Sequence, residues 1–170
     1  MKLDSVHHIA IIASDIESAR EFYVNKLNFE VIRENYRPER DDWKLDLRVD
    51  EHTELEIFAE KNPPKRISHP EACGLRHLAF RVESVEEIVH ELEAMGVPCE
   101  PIRTDTYTGE KMTFFADPDG LPIEIHEERI KDEMFDFSSR ICYSPLSADR
   151  EFPKAPVASR GEVHPGLACG

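Results

Sequence analysis

His8-Ile-Ala-Ile-Ile-Ala-Ser-Asp-Ile-Glu17 and His77-Leu-Ala-Phe-Arg-Val-Glu-Ser-Val-Glu86 are one passage written twice. Each opens with His, an apolar residue, Ala and a second apolar residue. Each then reaches a residue suited to cap a helix, Asp15 in the first copy and Ser84 in the second, followed by an apolar residue and a Glu. Self-similarity of this kind marks a duplicated supersecondary unit.

The agreement extends outward from the two passages. Ile16, Ala19, Phe22, Tyr23 and Leu27 recur at helical spacing, and so do Val85, Ile88, Val89, Leu92 and Met95. Ser84 and Glu87 match a capping box. Asn28 and Gly96 stand where the two helices would end, and both tolerate left-handed backbone. Three strand candidates follow each helix: about Glu30–Glu34, Trp43–Val49 and Glu54–Ala59 in the first copy, and Cys99–Arg103, Lys111–Ala116 and Leu121–Glu127 in the second. Asp117-Pro-Asp-Gly120 carries the residues of a tight turn, and Asp50-Glu-His52 does the same work upstream.

The pattern predicts an α+β fold of two tandem βαβββ modules. Their strands form a curved mixed sheet around a metal cleft, with the helices outside. The expected divisions are 1–60 for the first module, a proline-bearing linker over 61–74, the second module over 75–128, and an extension over 129–170. The extension lacks the repeat. Glu127–Phe137 reads as a short helix or a frayed end, and the remainder has a composition that favours poor order. In a second reading the extension is an arm across a neighbouring subunit, anchored by Phe135, Phe137, Ile141 and Tyr143.

The charge narrows the function. The chain carries a formal charge of −14, with hydrophobic residues at 40% and charged residues at 33%. Phosphate backbones and anionic membranes both require concentrated Lys and Arg, so neither is an expected partner. No membrane-length apolar run or cleavage signal is visible, which predicts a cytoplasmic protein. Cys73, Cys99, Cys142 and Cys169 are scattered, with no C-x-x-C pair, and the first two read as inert thiols of the folded part.

Strand alternation then places the chemistry. In the first strand Ile9, Ile11 and Ala13 face the helix, while His8, Ala10 and Ile12 face away. In its counterpart Leu78, Phe80 and Val82 face the helix, and His77, Ala79 and Arg81 oppose them. The last strands send Leu55, Ile57, Ile123 and Ile125 toward the helices, and Glu54, Glu56, Phe58, Pro122, Glu124 and His126 away. Each module therefore offers one His and one Glu on its non-helix face. The histidines are 69 residues apart and the glutamates 68. A single His or Glu in a strand is usually structural or solvated, but this coincidence of position singles out His8, Glu56, His77 and Glu124. Two imidazoles and two carboxylates suit one divalent ion such as Ni, Co, Fe, Mn or Zn, with positions left for substrate. His7 is expected to point to the opposite face, and His126 to share the face of Glu124.

These residues carry a resemblance. His8-Ile-Ala-Ile11, Ser18-Ala-Arg-Glu-Phe-Tyr23, Arg76-His-Leu-Ala-Phe80 and Asp117-Pro-Asp-Gly-Leu-Pro-Ile-Glu-Ile125 resemble the vicinal oxygen chelate superfamily of glyoxalases, bleomycin-resistance proteins and dioxygenases. Tyr36-Arg-x-x-Arg-Asp-x-Trp-Lys44 and Pro70-Glu-Ala-Cys-Gly74 are similar to its YaeR-type glyoxalase-I-like metalloproteins. The resemblance covers about residues 3–128. It implies a metal-dependent lyase or isomerase of glyoxalase I (lactoylglutathione lyase) type, with nickel or cobalt favoured. Glu124 would be the catalytic base and Glu56 the second catalytic carboxylate, acting through an enediolate on a small α-oxo compound or its thiol adduct. A homodimer is implied, either with both modules of one chain pairing or with modules exchanged between chains.

The chain departs from glyoxalase I where glutathione should bind. Ile12 replaces an Arg four residues past the first ligand, and Glu60 replaces an Asn four past the second. Arg37, Lys44, Arg48, Arg81 and Lys111 are the remaining candidates for anionic substrate groups. The alternatives are an epimerase or a dioxygenase of the same superfamily, and, in a different class, a protein that binds an antibiotic or metabolite without chemistry.

Overall fold

The computed structural model describes residues 2–128, so the expectations for the extension, including its aromatic anchors, lie outside the described residues. The element order is β1 (His8–Ala13), α1 (Ile16–Arg20) with a π-helical continuation (Glu21–Lys26), β2 (Glu30–Arg37), β3 (Asp42–Arg48), β4 (Glu54–Ala59), β5 (Leu78–Val82), α2 (Val85–Ala94), β6 (Arg103–Thr104), β7 (Lys111–Ala116) and β8 (Pro122–Glu127). The two sheets have the orders β1-β4-β3-β2 and β5-β8-β7-β6, the same topology twice. In each, the first strand runs parallel to the last and the other pairings are antiparallel. This is the α+β, tandem-module fold that the repeat predicts. No described helix is long and apolar enough to cross a membrane.

The helix starts follow their caps. Asp15 is extended, and its carboxylate accepts the Ser18 N–H at 2.7 Å. Ser84 Oγ accepts the Glu87 N–H at 3.3 Å. Both satisfy N–H groups that have no partner in the first turn of a helix. The ends follow as well: Asn28 and Gly96 both have positive φ.

Three expectations need correction. The first helix is not α-helical to Leu27. It widens at Glu21, and Leu27 N–H reaches back five residues to Phe22 O. Widening lets two consecutive residues, Phe22 and Tyr23, both enter the core. The first strand after the second helix is not Cys99–Arg103 but only Arg103–Thr104. Pro98 and Pro101 lack the N–H that a ladder needs, although Glu100 N–H still donates to Phe114 O at 2.8 Å. β2 runs on to Arg37, three residues further than its alternation suggests, where the Arg37 side chain pairs with Asp42 at the start of β3. Cys73 is exposed and Cys99 half-buried.

One core serves both modules. Ile11, Phe22, Tyr23, Leu45, Leu55 and Ile57 from the first belong to the same buried cluster as Leu78, Val85, Leu92, Phe115, Ile123 and Ile125 from the second. The first helix joins them. Phe22 packs on Phe115 and Phe29 on Phe80, with ring centroids 6.2 and 5.7 Å apart. Tyr23 Oη donates to Asp117 Oδ2 at 2.9 Å, and Ser14 N–H donates to Asp119 Oδ2 at the same distance. Asp117 also accepts the N–H groups of Asp119 and Leu121 within the Asp-Pro-Asp-Gly turn. Burial raises the pKa of this carboxyl above the ordinary Asp value and drives that of the Tyr23 phenol upward too. The modules thus meet through helix-side surfaces, and the other face of each sheet points away from the shared core.

Two expected outcomes follow from these contacts. Tyr23→Phe leaves a buried carboxylate oxygen without its donor, and urea denaturation should show a loss of about 1–3 kcal/mol. Asp15→Ala should cost about 1 kcal/mol at neutral pH. The Ser18 N–H holds the Asp15 pKa below its ordinary value of 3.8. The contribution of Asp15 is therefore complete above that value and fades as pH falls through the lower folded-state pKa. Melts compared at neutral and strongly acidic pH should show the gap between wild type and variant closing in acid.

Candidate functional site

Register fixes where the four ligand candidates stand. β1 pairs with β4 so that His8 lies opposite Glu54 and Ala10 opposite Glu56. His8 and Glu56 are therefore diagonal neighbours on the non-helix face, and His8 Nε2 sits 3.8 Å from Glu56 Oε2. β5 pairs with β8 so that Ala79 lies opposite Glu124. The same diagonal brings His77, the residue just before β5, to 3.0 Å between Nε2 and Glu124 Oε2. His77 is braced by an edge-on contact with the Phe114 ring at 5.3 Å. Two donors held about 2.1 Å from one octahedral ion lie roughly 3 Å apart, and a tetrahedral ion spreads them slightly further. The second pair has that spacing, and the first is somewhat wider.

The structure brings the four together as two pairs. Among the described residues no group of three or more His, Cys, Asp and Glu side chains is close enough to hold a metal. Each pair lies on a sheet face that points away from the shared core.

The other histidines resolve simply. His7 leans onto His8, with their Nδ1 atoms 2.9 Å apart. His126 shares the face of Glu124, and its Nε2 lies 3.5 Å from both Asp105 Oδ2 and Thr108 Oγ1.

The candidate anion contacts are mostly engaged. Arg37 forms a forked pair with Asp42 and covers the Phe58 ring at 4.6 Å. Arg48 pairs with Glu30 at 3.0 Å, and Lys111 pairs with Glu86. Arg81 stands exposed beside His126. Lys44 is turned inward: its Nζ donates to Glu56 Oε1 at 2.8 Å and lies 2.9 Å from Asp46 Oδ1. Burial alone would lower the Lys44 pKa, but Glu56 and Asp46 outweigh it and hold the value above that of an ordinary lysine.

Sequence reading missed two members of this network. Asp46 is a carboxylate with no exposure at all, held by Arg33, which also reaches Glu54 at 3.2 Å. Lys44 Nζ lies off the direction that a hydrogen bond to Asp46 Oδ1 needs, so that contact is one of charge alone. Alternation along Lys44-x-Asp46-x-Arg48 already set Asp46 on the polar face. Arg33 was hidden by a bulge. Val31 pairs with Leu47 and Arg33 with Asp46, which leaves Ile32 as the extra residue and turns Arg33 onto the face of Asp46.

Two mixed sheets of one topology, each with a His–Glu diagonal, define a class, and comparison with known proteins gives the same class. The model of the Glyoxalase/Bleomycin resistance protein/Dioxygenase superfamily matches residues 5–125, and the chain belongs to that superfamily. It is 53% identical to the uncharacterized protein YwkD of Bacillus subtilis (strain 168), over 75% of this chain and 100% of YwkD. Identity with the uncharacterized protein YaeR of Escherichia coli (strain K12) is 50%, over 74% and 98%. The crystal structure of a glyoxalase family protein from Enterococcus faecalis superposes with a TM-score of 0.71 at 55% identity, over 75% of this chain and 100% of that one. More distant relatives include enzymes. They include the metallothiol transferase FosB of Staphylococcus epidermidis and a 2-epi-5-epi-valiolone epimerase of Actinomyces sp, each 29% identical, and the glyoxalase I of Leishmania major, 26% identical with a TM-score of 0.58.

The buried charges give one expected outcome. Arg33→Met removes a donor from an enclosed carboxylate, and chemical denaturation should register a loss of about 1–3 kcal/mol.

Proposed function

We propose that this protein is a divalent-metal enzyme of glyoxalase type, and that two chains share each centre. His8 and Glu56 of one chain would face His77 and Glu124 of another. The observation that carries the reading is the pair of matching His–Glu diagonals, 3.8 and 3.0 Å across, each on a face turned away from the shared core. A homodimer with exchanged modules supplies four donors where one chain supplies two. Cobalt or nickel suits two imidazoles and two carboxylates, and zinc, manganese and iron also accept them.

The reaction this supports moves a proton between carbons of a small α-oxo compound or its thiol adduct, through an enediolate. A bound divalent cation stabilises negative charge on an oxygen beside the carbon that is deprotonated. The chain's own part is the proton. Glu124 Oε2, lying against His77 Nε2, is the carboxylate oxygen that takes it and returns it. Glu56 is held by Lys44, whose Nζ donates to Oε1 at 2.8 Å. Ile12, exposed two residues along from Ala10, offers apolar surface to the substrate where a glutathione carboxylate would need a cation. A second reading, an epimerase, draws on the 29% identity with the valiolone epimerase, since epimerisation uses the same proton abstraction.

The reading is tested by metal content and turnover together. Elemental analysis should find about one divalent ion per chain, lost in His77→Ala and Glu124→Ala. Turnover of a methylglyoxal–thiol adduct should fall about 10²–10⁴-fold in Glu124→Gln. A mixture of Glu56→Ala and Glu124→Ala chains should recover metal binding, because one of the two sites in the mixed dimer is then whole. Metal without turnover on this adduct, but with turnover on a chiral α-oxo compound, would favour the epimerase. A protein that stays free of metal after reconstitution would leave a metabolite-binding role.

A further inference from the structure

The two halves of the candidate centre are built from matching strands with unlike neighbours. Opposite Glu56 in register stands Asp46, and opposite Glu124 stands Phe114. One step along, the position of Lys44, opposite Phe58, is taken in the second module by Met112, opposite His126. The first carboxylate is therefore set in a line of alternating charge. Arg33 grips Asp46, Asp46 faces Lys44, and Lys44 grips Glu56. The second is set against an aromatic ring, and among the described residues no Lys or Arg pairs with it.

Lys44 holds only one oxygen of Glu56. Its Nζ takes Oε1 at 2.8 Å, while Oε2 is the oxygen that faces His8 Nε2. The lysine is itself constrained. It is half-buried, lies against the Phe58 ring at 5.6 Å, and is drawn from behind by a carboxylate with no exposure to solvent. Asp46 cannot move away, since Arg33 closes over it from the bulge in β2.

We propose that Lys44 is a positioning residue for Glu56: by clamping Oε1 between buried Asp46 and the sheet, it leaves Oε2 as the single oxygen that Glu56 presents beside His8. The proposal rests on the metal-centre reading above. It assigns the two carboxylates unlike duties. Glu56 is fixed as a one-oxygen ligand, and Glu124, with no ammonium to hold it, keeps the freedom to leave and take a proton. A hydrogen-bonded partner behind a ligand fixes its orientation and its basicity, and loss of such a partner costs metal affinity. The cost of a positive charge near a cation is offset because Asp46 neutralises Lys44 from the other side.

The test is a cobalt(II) titration of the intact protein, read by the visible ligand-field spectrum and by competition with a chelator. Lys44→Met installs the residue found at the matching place in the second module. Its far-ultraviolet circular dichroism should match wild type. Its cobalt affinity should fall roughly tenfold or more, with a changed visible spectrum as Glu56 binds through either or both oxygens. Lys44→Arg should restore most of the affinity and the wild-type spectrum. Should the Met variant fail to fold, Lys44→Gln, which keeps a donor without the charge, is read in the same way. An unchanged spectrum and affinity in a folded variant, or tighter binding, would overturn the positioning role and leave the metal centre standing. Wild-type protein that takes up no cobalt would overturn both.

Discussion

The fold turns on one hydrogen bond, from the buried Tyr23 hydroxyl to the buried Asp117 carboxylate. It joins the first helix of one module to the final turn of the other. Both groups would carry a large desolvation cost if left apart, so the contact exists only when the helix-side surfaces of the modules are pressed together. Phe22 on Phe115 and Phe29 on Phe80 supply the apolar area around it. The consequence is geometric. A sheet has two faces, and when both helix-side faces are spent on one core, the remaining faces are left for a partner or a ligand. The His–Glu pairs are on those faces.

Duplication sets the frame, and divergence within it sets the chemistry. The same diagonal places a His beside a Glu in both modules, but the strands next to the two glutamates differ. One neighbour is a buried carboxylate in a chain of charge, the other an aromatic ring. Duplicated strands have thus given the two carboxylates unlike surroundings.

Much of this was legible in the sequence, for reasons that can be located. Period-two alternation identified the face of every strand around the site, because burial on one side forces it. Asp15, Ser84, Asn28 and Gly96 marked helix ends, because unpaired backbone groups and positive φ admit few residue types. What stayed hidden depends on non-local geometry. The bulge that re-aims Arg33 adds one residue to a strand without any sequence signature of its own. The π-helical turn buries Tyr23 beside Phe22, and the partner that Tyr23 meets there, Asp117, lies in the other module. Asp46 shares the alternation of Lys44 and Arg48, but its complete burial arises from Arg33 and Lys44 closing over it. A repeat within a single chain leaves open whether its two His–Glu pairs meet within one chain or between two.

The shortened β6 has a further meaning for the life of the protein in a crowded solution. An outer strand with free N–H and C=O groups is a template on which foreign strands can add and aggregates can grow. The segment over 98–104 lies at such an outer position, yet only Arg103 and Thr104 pair as a strand. Glu100 turns its N–H inward to Phe114, and Pro98 and Pro101 have none to offer. The interruption that spoils the strand on paper therefore removes adhesive backbone from one margin of the molecule, and the exposed pair of Glu100 and Arg103 adds charge along it.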